Sequence, residues 1–438
     1  MTSGGEGNVV LRSEARRAGN SMLLTHRCGQ DEPVPPQRAL SVHTGGCGGV
    51  PDPAHQRLAK FHAPEIVFGP GSLSEAAHAA VRLGARRPLL VTDPGLLAAG
   101  WPDELLAELR GAGLTPRVWC GVTPNPKDHE IEAGYQHYAA EACDVVIGVG
   151  GGSVIDAAKG IALLSANGGE ILDYEGIDKI SHPIPPLVMV PSTSGTGADV
   201  SQFCIVTDTK RLTKITIMGR ALVPDVSVVD PRLLTTMPEE LNAATGLDAL
   251  THGIEAFVSL AHNPLTDNHA LQAVSLVMGN LAHTIHHPSD HTARGLMAQA
   301  ALEAGLAFTN AILGACHAMS HQVGGLLDLP HGVLNGVLLP HVIRFNAAAE
   351  PQRFRSIAAA MGVPRAAELP ADEAGELVAD QVRRLADDVG VPKGLAVLGV
   401  SAEDVPRLAR TAMADACLST NPRPASAADI EALFRAAL

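Results

Sequence analysis

Aromatic side chains are scarce: Phe, Trp and Tyr make up 3% of the 438 residues. The interior must therefore be built mainly from Ala, Val, Leu and Ile. Basic residues are also in the minority. Lys and Arg total 32 against 46 Asp and Glu, a formal net charge of −14, which argues against nucleic acid or an anionic membrane as partner, since both recruit a basic surface. No apolar run approaches the ~18 residues of a membrane span. The longest, such as 186–191, have the length of buried strands. The seven cysteines are odd in number, widely spread and lack any C-x-x-C pair. That argues against a disulfide framework or a zinc ribbon and for a reducing, cytoplasmic setting. At ~100–200 residues per domain, the chain has room for two or three globular domains.

Residues 1–57 are rich in Gly and Pro, lack periodicity and are expected to form a disordered N-terminal extension. They offer no apolar stretch for a secretory signal and too many acidic residues for a transit peptide. His26, Cys28, His43 and Cys47 within them fit no common zinc spacing. From about residue 58 the pattern alternates. Strands are expected over 87–93, 116–122, 144–149, 187–190 and 226–230, with helices over 102–111, 129–142 and 153–165. Short apolar runs alternating with helices indicate a parallel sheet covered on both faces. After about 240 helical patterns dominate, over 241–262, 264–286, 294–309, 314–326, 352–361 and 371–389. The expectation is an α/β domain (58–240) followed by an all-α domain (241–438).

Two regions carry chemistry. In the first, Val145-Val-Ile-Gly-Val-Gly-Gly-Gly-Ser153-Val-Ile-Asp156, a strand runs through consecutive glycines into a helix. Such glycines let backbone N–H groups approach a phosphate at a helix N-terminus. Ser153 and Asp156 alternatively form an S-x-x-D capping box that merely starts the helix. The stretch is not a G-x-G-x-x-G fingerprint, because Ser occupies 153. Asp93, ending an earlier strand in Asp-Pro-Gly, is either the acidic residue for an adenosine ribose or a turn starter. The hydroxyl-rich loop Pro191-Ser-Thr-Ser-Gly-Thr-Gly-Ala-Asp199 could wrap a pyrophosphate or nicotinamide, or be an ordinary polar turn.

The second region is a concentration of histidine, most of the 19 lying between 252 and 341. Asp248 and His252 stand four apart on one helix face, as do His317 and His321, and His331 follows in Pro-His-Gly. One Asp and several His suit a divalent transition metal. A zinc protease is excluded, since Ala318 stands where H-E-x-x-H needs Glu, and a di-iron bundle would need two Glu-x-x-His motifs.

Four segments occur in order: Gly-Gly-Gly-Ser-Val-Ile-Asp-Ala-Ala-Lys (150–159), the hydroxyl loop (191–199), Thr-Gly-Leu-Asp-Ala-Leu-Thr-His (245–252) and His317-Ala-Met-Ser-His-Gln-Val-Gly-Gly with Pro-His-Gly332. In this combination the chain resembles the iron-containing, group III metal-dependent alcohol dehydrogenases over roughly 60–438. The resemblance implies an N-terminal dinucleotide-binding α/β domain, a helical C-terminal domain and an active site in the cleft between. It implies Asp248, His252, His317 and His331 as ligands of a divalent metal, Fe(II) ahead of Zn. It implies NAD as cofactor, with Asp93 on the ribose, Gly150, Gly151, Gly152 and Ser153 on the pyrophosphate, and Ser192, Thr193 and Thr196 lining the nicotinamide side. Asn125, Asp156 and Lys214 match positions near the cofactor. The 14-residue step from His317 to His331 matches the family's ligand spacing, which leaves His321 to position substrate or relay its proton. Many members have Thr-Thr-Ala where this chain has Ser192-Thr193-Ser194. A hydroxyl remains at 192.

The expected activity is hydride transfer between a small alcohol or aldehyde and NAD, in a homodimer or larger homo-oligomer. Two alternatives share the architecture. A dehydroquinate-synthase-like lyase must grip a phosphate and a carboxylate with basic groups, yet between 245 and 340 only Arg294 is basic apart from His. A non-catalytic binding or regulatory member need not keep all four ligand positions, and this chain does.

Overall fold

Strand–helix alternation in the first half folds as an open parallel sheet. A computed structural model describes residues 60–438; the extension expected over 1–57, with His26, Cys28, His43 and Cys47, lies outside the described residues. The strands are β1 (Glu65–Phe68), β2 (Leu89–Val91), β3 (Arg117–Trp119), β4 (Val146–Gly150), β5 (Gly176–Ile177), β6 (Leu187–Pro191), β7 (Phe203–Asp208), β8 (Thr213–Met218) and β9 (Val226–Val229). Between them run α1 (Glu75–Arg82), α2 (Pro94–Ala99), α3 (Trp101–Gly111), α4 (Asp128–Ala140) and α5 (Gly152–Asn167). Six strands form one sheet in the order β1-β9-β6-β4-β2-β3, with every pair parallel. Alternate side chains face opposite layers. Leu89, Val91 and Val146 pack with Ile131, Ile155 and Ile161 of α4 and α5, while Leu90, Ile147 and Val149 pack with α1 and α3 through Ala76, Leu105 and Leu109.

The direction in which strands are added reverses between β2 and β4. The carboxyl ends of these neighbours open a crevice, the usual ligand position in such sheets. Strands β5, β8 and β7 form a second, three-stranded sheet in which β7 and β8 are antiparallel. The sequence reading missed this hairpin, as it missed β1 and α1. Thr213-Lys-Ile-Thr-Ile-Met218 alternates polar and apolar residues, so it lacks the continuous apolar run used to find the central strands.

The second half is helical: α6 (Glu239–Val258), α7 (Pro264–His286), α8 (His291–Ala311), α9 (Ala315–Leu327), α10 (His331–Ala347), α11 (Pro351–Ala360), α12 (Ala371–Asp388), α13 (Val405–Ala412) and α14 (Ala427–Ala436). Among the described residues no single helix is long and apolar enough to cross a membrane. Helix α6 is buried from Asn242 to Val258 because α7, α8 and α10 surround it. The approach of α10 depends on Gly332, where a Cβ would collide with the Ala244 carbonyl. That contact brings the start of α10 against the second turn of α6, one turn before Asp248.

Candidate metal centre and cofactor cleft

Three histidines from three helices converge on one carboxylate. Asp248 and His252 lie a turn apart on α6, His317 comes from the first turn of α9, and His331 opens α10. The Nε2 atoms of His252, His317 and His331 lie 3.8, 3.6 and 3.8 Å from Asp248 Oδ1. Ligands held tetrahedrally at ~2.1 Å from an ion are ~3.4 Å apart; the donor atoms of Asp248, His252 and His317 all lie within 4.8 Å of one another, close enough to share one ion, while His331 meets the group through Asp248 Oδ1. Each ring is also held by its other nitrogen. His317 Nδ1 is 2.6 Å from Glu255 Oε2, His252 Nδ1 is 3.3 Å from the Gly195 carbonyl, and His331 Nδ1 is 3.4 Å from Ser320 Oγ. Glu255 Oε1 also accepts the Cys316 N–H at 2.7 Å. Asn335 Nδ2, unlike these outer partners, touches the metal-directed atoms themselves: it donates to Asp248 Oδ1 at 2.8 Å and lies 3.3 and 3.2 Å from Nε2 of His317 and His331. Outer partners that fix the tautomer and aim Nε2 inward are what metal-binding imidazoles need.

The electrostatics agree with the geometry. Burial raises the Asp248 carboxyl, but the His252, His317 and His331 imidazoles outweigh it and hold it well below the usual carboxylate range. Burial lowers His252 to about 4 and drives His331 well below its ordinary value. His317 differs: burial lowers it, but hydrogen bonds to the Asp248 and Glu255 carboxylates outweigh this and carry it up to about 9. A buried carboxylate among largely neutral imidazoles is a donor set for a cation.

His321 lies one turn further along α9, stacked on His331 with ring centroids 5.2 Å apart. Its Nδ1 is 2.9 Å from Asp415 Oδ2 rather than directed at Asp248. His317 joins the Asp248 cluster and His321 does not.

The glycine-rich turn faces this cluster across a cleft of about 130 Å³ lined on one side by Asn125, Gly152, Ser153, Asp156, Thr196 and Lys214, and on the other by Asp248, His252, His317, His321 and His331. Gly150, Gly151, Ser192, Thr193 and Asp93 do not line that cavity. Gly150 and Ser192 are joined by a hydrogen bond (Ser192 N–H to Gly150 O, 2.9 Å), and Thr193 lies against Gly151. Asp93 follows β2 on the other side of the crevice and accepts the Leu96 N–H at 2.9 Å as N-cap of α2. Asp93 therefore starts helix α2 rather than a turn.

The capping-box alternative for Ser153 and Asp156 is corrected. Helix α5 starts one residue earlier, at Gly152, with Gly151 as N-cap and no side-chain cap. Ser153 Oγ instead accepts the Asn125 N–H at 3.0 Å. The first-turn N–H groups of α5 therefore have no capping side chain, and Thr193 Oγ1 and Ser194 Oγ are buried without partners. A Cβ at Gly152 would come within 2.7 Å of Thr196 Cγ2, so only glycine lets the hydroxyl loop approach the helix start. Free N–H groups and idle hydroxyls around such a turn fit a pyrophosphate.

Lys159, Asp328, Glu255 and Asn335 escaped the sequence reading, whereas Asn125, Asp156 and Lys214 are among its candidates. Lys159, fully buried, donates through Nζ to the carbonyls of Ala198 and Ser201 at 2.6 Å and of Phe203 at 2.9 Å, fastening the end of the hydroxyl loop to α5. Burial pushes the Lys159 ammonium down and the Asp156 carboxyl up, each opposed by the charge of the other. Burial likewise lowers Lys214 to about 8. Asn125 Nδ2 crosses the cleft mouth to Asp328 Oδ1 at 2.7 Å. Glu255 follows His252 by three residues and Asn335 follows His331 by four, spacings that polar helix residues often show without any function.

Comparison with known proteins gives concordant matches. The family model described as "Iron-containing alcohol dehydrogenase" matches residues 63–231, and that described as "Fe-containing alcohol dehydrogenase family, C-terminal" matches 242–438. The chain is 42% identical over 384 residues to 1,3-propanediol dehydrogenase of Citrobacter freundii, covering 87% of this chain and 99% of the relative. It is 38% identical over 378 residues to NAD-dependent methanol dehydrogenase of Bacillus methanolicus, covering 86% and 99%. Among solved structures, 1,3-propanediol oxidoreductase superposes with a TM-score of 0.84 at 42% identity, covering 87% of this chain and 100% of that one.

Proposed function

Because the chain belongs to the iron-containing alcohol dehydrogenase family and is thereby an oxidoreductase, we propose that it transfers hydride between a small alcohol or aldehyde and NAD, using a divalent metal. The observation that carries this reading is the convergence of three imidazole Nε2 atoms on Asp248 Oδ1, across one cleft from an uncapped glycine-rich helix start. Asp248, His252, His317 and His331 would hold the ion, Fe(II) in preference to Zn(II). When bound, it supplies Lewis acidity toward the substrate oxygen, making an alcohol more acidic and a carbonyl more polar. In this reading 58–240 serves the cofactor and 241–438 the metal.

This chain's own residues do the rest. The N–H groups following Gly150, Gly151 and Gly152, with Ser153, bind the pyrophosphate, which the positive end of α5 favours. Asp93, across the crevice, accepts the 2′-hydroxyl of the ribose and disfavours a 2′-phosphate. Ser192, Thr193 and Thr196 bound the nicotinamide side, and Lys159 keeps their loop in place. Asn125, Asp156 and Lys214 line the cofactor half of the cleft. His321 accepts the hydrogen bond of the substrate hydroxyl and carries its proton away. A cavity of this size, with Phe308 and Leu313 in its wall, suits a short carbon chain and leaves little room for bulk water.

The test is NADH oxidation across a panel of short aldehydes, with metal content measured on the same sample. Metal-replete protein is expected to turn over, chelator-stripped protein to be inactive, and Fe(II) to restore more activity than Zn(II). Equal turnover by stripped protein would remove the metal from the reading.

A further inference from the structure

Asp415 lies in the turn after α13, 94 residues from His321 in the chain. It does not line the cleft, whereas His321 does. Both side chains are almost wholly buried, at 4% and 5% exposure, and Oδ2 of Asp415 sits 2.9 Å from Nδ1 of His321. The carboxylate is itself held from two sides. The Cys417 N–H donates to Oδ1 at 2.9 Å, and Gln322 Nε2 donates to Oδ2 at 3.3 Å.

An ionised carboxylate has no proton to give, so the contact requires that Nδ1 of His321 carry the hydrogen. The ring is then committed to one tautomer, with Nε2 as a lone-pair acceptor on its far edge. Its plane is fixed as well, since the ring stacks on His331 at an interplanar angle of 17°. Without the carboxylate, the Nε2–H tautomer would present a donor to the substrate hydroxyl, the wrong polarity for accepting its hydrogen.

We propose that Asp415 is a positioning residue for alcohol oxidation: through its hydrogen bond to Nδ1 it fixes the tautomer and plane of His321, keeping Nε2 as the acceptor for the substrate hydroxyl. This rests on the reading of the chain as an alcohol dehydrogenase in which His321 faces the substrate. Asp415 itself touches neither the substrate nor the Asp248 cluster.

The test is a double-mutant cycle on the metal-loaded enzyme. In Asp415→Asn the amide NH₂ can face Nδ1 and select the wrong tautomer. Its kcat is expected to fall about 10²-fold with KM changed less than about threefold. In a His321→Ala background the same substitution is expected to change kcat by less than about twofold, because the group it acts through is gone. Metal content, melting temperature and NADH binding by fluorescence are expected to match those of the parent in each arm. Asp415→Glu, which keeps the carboxylate, is expected to recover at least about tenfold of the lost kcat, and it serves as the comparison if Asp415→Asn does not fold. Additive losses, loss of metal or a lowered melting temperature would give Asp415 a structural role and overturn the proposal. A wild type that turns over no alcohol would instead overturn the dehydrogenase reading; an active wild type with a normal Asp415→Asn overturns only the inference.

Discussion

Glu255 bears no metal-directed atom, yet the site's affinity is expected to depend on it. Both oxygens are committed: Oε1 accepts from the Cys316 N–H, and Oε2 lies 2.6 Å from His317 Nδ1. Glu255→Gln keeps the shape but leaves one acceptor oxygen where Cys316 N–H, His317 N–H and His317 Nδ1–H had two, so either Cys316 N–H or the two His317 donors meet an NH₂ group. Loss of an outer partner of this kind weakens metal binding by about 10–100-fold, or roughly 1.4–2.8 kcal/mol. A pH dependence goes with it. His317 is carried up to about 9 in the metal-free protein, so below that pH a metal must displace its proton. Wild-type affinity is therefore expected to climb by about tenfold per unit from pH 7 and to level off above about 9. Removing the Glu255 charge lowers the His317 pKa, so the plateau in Glu255→Gln starts at lower pH. Competition with a chromophoric chelator, from pH 6 to pH 10, reads both effects. Unchanged affinity together with an unmoved plateau would refute the view that Glu255 holds and charges this ligand.

His317→Ala and His331→Ala are expected to empty the metal site and abolish turnover, whereas His321→Ala retains near-stoichiometric metal while kcat falls by about 10²-fold or more; metal lost from His321→Ala but kept in His317→Ala would reverse the two roles. Asp93→Gly is expected to narrow the NAD/NADP ratio in kcat/KM, by removing a negative charge that a 2′-phosphate would have to approach; a wild type that already uses both cofactors equally contradicts this. Lys159→Met leaves the carbonyls of Ala198, Ser201 and Phe203 without their shared donor, and each such buried group costs about 1–3 kcal/mol. A urea midpoint lowered at constant slope, with weaker NADH binding, is the expected outcome, and an unchanged midpoint would mean that the loop does not depend on this lysine.

What could be read from the sequence depended on how far apart the cooperating residues lie. Asp248 and His252 share one helix face, so their spacing alone predicts that they meet. The glycines at 150–152 sit between an apolar run and a helix, and the turn they make is local. Ser153 shows where local reasoning fails. Its S-x-x-D spacing suits a cap, but the Asn125 N–H arrives from another strand's loop and takes the hydroxyl, while Gly151 caps the helix instead. Helix α10 escaped for a related reason. Gly332, Gly336 and Pro340 all lower helix propensity, and Pro340 stands inside the helix. The helix forms because Gly332 allows backbone contact with α6, a benefit that no window of the sequence contains. The same contact delivers His331 to Asp248, so a residue that looks like a helix breaker is a condition for assembling the metal centre. Asp415 is the extreme case, since nothing in its own neighbourhood distinguishes it from any other turn aspartate. Its part in the site exists only because α9 and the turn after α13 are packed together, and it is therefore visible only in the fold.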